Sequence, residues 1–370
     1  MNHYINPDYI PEPDKMNVKR GLEGVVIDTT KVSKVNPETN ALIYRGYPVQ
    51  DLAENCSFEE VAFLLYYGEL PTSLQLDAFR DRERGHRGIS QTVLRAIENF
   101  PREAHPMDAI RTAVSILGCE DPLVWDSSPE ANIGKAIQLL AKISTMVAAH
   151  SRMRQGLKFI PPLKELSIAE NFFYMCFGKI PKEEIVRAFE VSLILYAEHS
   201  FNASTFTARV VTSTQSDIYS ATVAGIAALK GPLHGGANEQ VMHMMIEIGD
   251  PAKAEQWMLD ALAQKKKVMG FGHRVYKSGD SRVPTMKKYS QIVANVTGEQ
   301  KWMKMYHALE KVMVEKKNIY PNLDFPAGPA YYMMGFDIDF FTPIFVMART
   351  TGWSAHFIEQ SENNRLIRPL

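Results

Sequence analysis

Apolar residues recur at helical spacing along almost the whole chain from Asp51 onward, and this periodicity limits the fold more than any other feature. It runs through IGKAIQLLAKISTMVAAH, EEIVRAFEVSLILYAEH, YSATVAGIAALKG and EKVMVEKKN. Ser57 and Glu60 form an S-x-x-E capping box before VAFLL, and Gly68 follows as a stop. Pro106 and Asp108 open a second clear helix, MDAIRTAVSILG. Breaks are expected at Gly118, Pro161-Pro162, Pro181, Gly231-Pro232, Pro284 and Pro326. No internal repeat and no low-complexity segment interrupts the pattern. The fold class expected is all-α, with one small N-terminal β-hairpin. That hairpin is read between Gly24 and Tyr47, where VVIDTT and ALIYRGY are broken by Asn36-Pro37 and Gly46. The first ~20 residues read as an arm, because Pro7, Pro11 and Pro13 block regular pairing.

A length of 370 residues is enough for two domains. The formal net charge of -1 argues against a nucleic-acid protein. No apolar run approaches the ~18 residues that span a bilayer. The N-terminal MNHYINPDYIPEPDK lacks the charged and apolar regions of a signal peptide, so a cytoplasmic protein is expected. Cys56, Cys119 and Cys176 are odd in number and far apart. They fit buried reduced thiols better than a disulfide framework or a zinc site.

Polar, glycine-rich segments cluster in the last 140 residues or so of this pattern, and four segments stand out as chemistry. They are AEHSFNASTF with His199, GPLHGGANE with His234, VMGFGHRVYKSGDSR with His273 and Arg282, and PNLDFPAGP with Asp324. Gly231-Pro232 ends one helix and Gly235-Gly236 leads into ANEQVMHMMIEI, so His234 falls near a helix N-terminus. The positive end of a helix keeps an imidazole neutral, and a neutral ring can donate to a carbonyl that is becoming an enolate. A histidine that only caps a turn fits the segment equally well. Gly270 and Gly272 allow a backbone to approach a ligand, but Val275 breaks GxGxxG, so no dinucleotide site is implied. Lys265, Lys266 and Lys267 before it and Lys277 after it suit a polyphosphate, or form a solvated helix end. Arg282 could fork onto a carboxylate. Asp324, between Pro321 and Pro326, reads as a base on a constrained loop or as a helix cap. His199 taken singly reads as structural, with Asn202, Ser204 and Thr205 as local backbone caps.

Taken in order, these segments resemble the citrate synthase family. TPIFVMARTTGWSAHFIEQ, NNRLIRP, GLEGVVIDTTKVS, YRGYPVQDLA, CSFEEVAFLLYYGELP and HPMDAIRTAVS extend the resemblance over essentially the whole chain. RVVTSTQSDIYSA, GFGHRVYKSGDSRVPTMK and NLDFPAGPAYYMM are similar to its bacterial, actinobacterial-type branch of 2-methylcitrate synthases. The resemblance implies an almost all-α homodimer. Its large domain would comprise residues 1–234 and 330–370. A small, CoA-binding domain at residues 235–329 would close over the substrates.

The resemblance also implies roles. Asp324 takes a proton from the acyl-CoA α-carbon, His234 stabilises the resulting enol, and His273 polarises the oxaloacetate ketone. Water then cleaves the thioester. His199, Arg282 and Arg349 bind oxaloacetate, and Arg368 does so in the partner's site. The backbone of Lys267, Val268, Met269, Gly270 and Phe271 holds CoA, with Lys277 as a basic contact and Arg365 near its phosphates. No cofactor, metal, nucleic acid or membrane is called for; acyl-CoA and oxaloacetate are substrates. Propionyl-CoA is the expected acyl donor, with acetyl-CoA also used. An acetyl-CoA-preferring citrate synthase is the alternative, and a non-catalytic CoA-binding dimer a more distant one. In one departure, the chain stops at Leu370, directly after Arg368-Pro369, where relatives continue into a short tail with an aromatic and a Gly-Pro.

Overall fold

The structure, a computed structural model, describes residues 19–36, 38–273, 275–276 and 279–368. The arm with Pro7, Pro11 and Pro13 lies outside the described residues. A single 3-10 turn at Arg20–Leu22 is followed by three short strands: β1 (Ser33–Asn36), β2 (Ala41–Tyr44) and β3 (Tyr47–Pro48). They form one antiparallel sheet in the order β1-β2-β3, with Ser33 opposite Tyr44 and Ile43 opposite Pro48. The expected hairpin is therefore present, extended by a third strand. VVIDTT is not part of it. Residues 25–30 have no regular structure, Val26 is 86% exposed, and among the described residues no strand pairs with this segment.

Helices account for the rest: α1 (Val49–Asn55), α2 (Phe58–Tyr67), α3 (Ser73–His86), α4 (Gln91–Asn99), α5 (Pro106–Glu120), α6 (Pro129–Arg154), α7 (Ile168–Phe177) and α8 (Glu183–Tyr196). Then come α9 (Ala203–Ser213), α10 (Ile218–Leu229), α11 (Ala237–Ile248), α12 (Pro251–Ala263), α13 (Val283–Thr297), α14 (Gln300–Lys317), α15 (Asp324–Met333) and α16 (Phe341–Glu362). The Ser57–Glu60 box closes reciprocally at the start of α2, and Gly68 ends that helix in the left-handed conformation. Two expected breaks are not breaks. Gly118 lies inside α5, where a Cβ would stand 3.0 Å from Tyr219 Cβ, so the glycine lets α5 pack on α10. Pro326 sits in the first turn of α15, where its missing N–H has no intrahelical partner to lose.

The centre of the molecule is α16. Nearly every side chain from Phe341 to Ile358 is buried, which marks a helix enclosed on all sides. It packs against α2, α6, α8, α9 and α10. Close approach of α10 depends on Gly225, whose Cβ would meet the Trp353 ring at 2.9 Å. A second group of contacts joins α11 to α15, α12 to α14 and α13 to both α14 and α15, while α13 also lies on α8. The polar segments lie where these two groups meet. Among the described residues, no helix is long and apolar enough to cross a membrane.

Candidate active site

The turn between α8 and α9 carries His199. The buried Tyr44 hydroxyl faces the carbonyl oxygens of Ile194 and Glu198 at 3.1 and 2.9 Å, and Gly352 N–H donates to Ala197 O. These contacts fix residues 197–199 between β2 and α16. His199 is buried, and its Nε2 has no protein partner. Burial, followed by the charge of Arg282, holds its pKa well below the ordinary histidine value.

His234 precedes Gly236, the N-cap of α11. The helix end that acts on its ring is nevertheless that of α9. Ser204 N–H points at Nε2 from 3.2 Å, and Ser204 Oγ lies 2.8 Å from the same nitrogen. Asn202 caps α9 beside it, as expected for that residue. A ring nitrogen that accepts from a backbone N–H carries no proton, so the proton resides on Nδ1. Burial, then Arg349, lowers the pKa to about 3. His234 is a neutral donor through Nδ1.

His273 has the opposite tautomer. Its Nδ1 accepts from the N–H groups of Val275 and Tyr276 at 3.0 and 3.3 Å, which leaves the proton on Nε2. Burial, then Arg282, lowers its pKa to about 4, against an opposing pull from Asp280. The ring centroids of His273 and His199 are 5.0 Å apart.

The GFGH segment is stapled to the start of α15. Phe271 forms an antiparallel bridge with Pro321, Gly272 N–H donates to Tyr320 O at 2.8 Å, and Asn322 N–H donates to Gly270 O at 2.9 Å. Gly270 holds φ +85°, and a Cβ there would lie 2.5 Å from Val241 Cγ2. Asp324 is the first residue of α15 rather than a loop residue. Leu323 already has helical φ and ψ, and Asn322 Oδ1 accepts from Asp324 N–H at 3.1 Å. Burial raises the Asp324 pKa to about 6, opposed by the Tyr196 hydroxyl bond and by Arg282.

Arg282 and Arg349 are both buried here. Arg282 does fork onto a carboxylate, but the carboxylate is the protein's own. Its Nε and Nη2 meet Asp280 Oδ1 and Oδ2 at 2.9 and 2.7 Å, leaving Nη1 a long 3.4 Å contact to Leu195 O. Arg349 donates Nε–H to Tyr196 O at 2.8 Å and stacks 4.7 Å above Phe345, while its Nη1 has no partner. Burial brings its pKa down to about 10. An unpaired guanidinium nitrogen and an unpaired imidazole nitrogen, both buried, are complementary to a carboxylate.

The structure thus gathers His199, His234, His273, Arg282, Arg349 and Asp324. Of the candidate CoA segment, Lys267 is exposed, Val268 buried, Met269 half-buried, and Gly270 and Phe271 lie in the staple. Lys277 lies outside the described residues. Arg365 and Arg368 are not in this protomer's pocket. Asn364 and Ile367 bond to Ser213, at the far end of α9 from Ser204, about 14 Å away at ~1.5 Å per residue. Sequence reasoning missed Tyr196, Asp280, Tyr44 and Glu198. A signal existed for two of them: Asp280 stands two residues before Arg282 and Tyr196 three before His199.

The family model described as citrate synthase, C-terminal domain, matches residues 21–370. This chain belongs to the citrate synthase family. It is 58% identical over 357 residues to a 2-methylcitrate synthase of Mycobacterium tuberculosis, covering 96% of this chain and 90% of that one. It is also 58% identical over 359 residues to a citrate synthase of Mycolicibacterium smegmatis, covering 97% and 96%. Among solved structures, the citrate synthase of Thermoplasma acidophilum, in ternary complex with carboxymethyl coenzyme A and oxaloacetate, has the same fold. Its TM-score is 0.91 at 34% identity, covering 95% of each chain.

Proposed function

We propose that this chain condenses oxaloacetate with a short acyl-CoA and hydrolyses the product, giving 2-methylcitrate from propionyl-CoA and citrate from acetyl-CoA. One observation carries this reading: two half-buried neutral imidazoles, with their protons on opposite nitrogens, share a pocket with a half-buried carboxylate of raised pKa. Asp324 takes the α-proton of the acyl group. His234 Nδ1–H donates to the thioester oxygen as it gains charge, which makes that weak acid accessible to a carboxylate. The enol carbon then bonds to the ketone carbon of oxaloacetate, and the ketone oxygen takes the proton of His273 Nε2. Water adds to the thioester carbon, the C–S bond breaks and CoA leaves. Arg349 Nη1 and His199 Nε2 offer the unfilled positions for a substrate carboxylate, and the oxaloacetate complex of the T. acidophilum relative supports this.

The same reading assigns residues 1–234 and 330–370 to a large domain and residues 235–329 to a small one that closes over the substrates. The backbone from Lys267 to Phe271, with Lys277, would hold CoA. The working unit is a homodimer in the cytoplasm, with Arg365 and Arg368 acting at the partner's site. Partly or fully exposed small and apolar residues support a paired face: Thr112 and Ser115 on α5, Val210 and Val211 on α9, and Val223 and Ala227 on α10.

A second reading, acetyl-CoA preference, is favoured by the M. smegmatis relative at equal identity. The two donors differ by one methylene, worth only ~1–3 kcal/mol in an apolar pocket. The test is kcat/KM for each donor, followed by thiol release. A higher value for propionyl-CoA with measurable acetyl-CoA turnover is expected. A strong acetyl-CoA preference would overturn the first choice, and no CoA release from either would overturn the function.

A further inference from the structure

Behind the pocket lies a chain of buried polar groups that the chemistry above does not use. Glu198, adjacent to His199, is fully buried. Its Oε1 accepts from Ser33 Oγ and faces His356 Nε2, each at 2.9 Å. Ser33 Oγ in turn accepts from Ser200 N–H at 2.9 Å. Across the ring, His356 Nδ1 lies 2.9 Å from Arg209 Nη1. Arg209 also binds Glu359 and Asp28, and its guanidinium stacks 4.8 Å above Phe201.

The proton positions follow from chemistry. A guanidinium can only donate, so His356 Nδ1 accepts and the His356 proton is on Nε2, aimed at Glu198. The remaining oxygen of Glu198 has no partner and lies where a Cβ on Gly352 would fall. Gly352 is one turn beyond Arg349 on α16. The carboxylate is therefore wedged between the turn that carries His199 and the helix that carries Arg349.

We propose that His356 is a positioning residue for the substrate dicarboxylate: through Glu198 it fixes the 197–200 turn, and with it His199 against Arg349. This rests on the reading of His199 and Arg349 as the oxaloacetate subsite. Without the Nε2 donor, Glu198 keeps only Ser33 as a partner. A buried carboxylate short of donors reorients toward any available one and moves the adjacent residue with it. His199 and Arg349 bind the substrate in the ground and transition states alike, so the loss falls on KM rather than kcat.

The test compares His356→Leu with His356→Gln. The glutamine amide offers an N–H to Glu198 and an oxygen to Arg209, reproducing the neutral tautomer. His356→Leu should raise the oxaloacetate KM about 10-fold with kcat within about twofold, and His356→Gln should restore KM. A merely structural role would instead lower Tm and the active fraction while leaving KM unchanged, and that outcome overturns the proposal. Equal KM values for the Leu and Gln variants also overturn it. If His356→Leu does not fold, Ser33→Ala removes the other donor to the same oxygen, and it too must raise KM; an unchanged KM overturns the proposal. Failure of the wild type to turn over oxaloacetate would sink the underlying reading and this inference together. Wild-type turnover with unchanged variant KM sinks the inference alone.

Discussion

The Tyr196 hydroxyl donates to Asp324 Oδ1 at 2.6 Å, so the residue three positions before His199 controls the charge of the proposed base. The bond favours the ionised carboxylate, while burial opposes it. Hydrogen bonds to charged groups contribute about 1.5–3 kcal/mol. Tyr196→Phe should therefore move the acid limb of the kcat profile upward by about one pH unit or more. An unmoved limb would remove Tyr196 from this role.

The wild-type profile has its own expected shape. Asp324 must be ionised, so activity should rise through a pH of about 6. His234 and His273, at about 3 and about 4, stay neutral throughout and add no limb above that. A rate profile from pH 5 to 9 that showed a histidine-like loss of activity near 7 would contradict the neutral-donor assignment.

Asp324 also links catalysis to stability. Its folded pKa of about 6 lies above the ordinary 3.8. A raised value means that the linked stability is fully present below 3.8 and is lost as pH rises through about 6. The loss amounts to about 3 kcal/mol at neutral pH. Asp324→Asn should abolish turnover yet raise Tm, more at pH 8 than at pH 5. Equal Tm gains at both pH values would show that ionisation is not the cause.

Asp280→Asn tests the Arg282 anchor. Asp280 meets Arg282 with both oxygens, and its Oδ2 also accepts from Leu323 N–H at 3.2 Å, just before Asp324. Breaking one partner of a buried ion pair costs about 3–5 kcal/mol. Denaturant unfolding should show that loss, together with weaker oxaloacetate binding. A change below about 1 kcal/mol would mean that Arg282 finds other partners.

Gly352→Ala should also be costly. The added methyl would lie 2.5 Å from Ala197 O and against the Glu198 carboxylate. Overpacking of this kind costs about 1–3 kcal/mol. Lower Tm and a higher oxaloacetate KM are expected together, because the obstructed turn carries His199. A neutral substitution would show that the turn can yield.

The helices were legible because apolar spacing and capping residues act locally, as at Ser57 and Gly68. The misses came where tertiary contacts overrode local signals. Gly118 reads as a stop until Tyr219 packs onto it. VVIDTT reads as a strand, but among the described residues no strand pairs with it. Asp324 between prolines reads as a loop until Asn322 caps it into a helix. His234 was placed correctly near a helix start, yet the helix that acts on it is α9, thirty residues upstream at Ser204. Glu198 and His356 left no sequence signal, because a buried polar pair 158 residues apart has no local pattern.

The Phe271–Pro321 bridge has a mechanical consequence. His273 follows one end of it and Asp324 the other, so two proposed catalytic groups 51 residues apart in sequence hang from a single crosspiece. His234 hangs from another support, the start of α9. The three-residue centre is therefore a junction of two mounts rather than the product of any one helix.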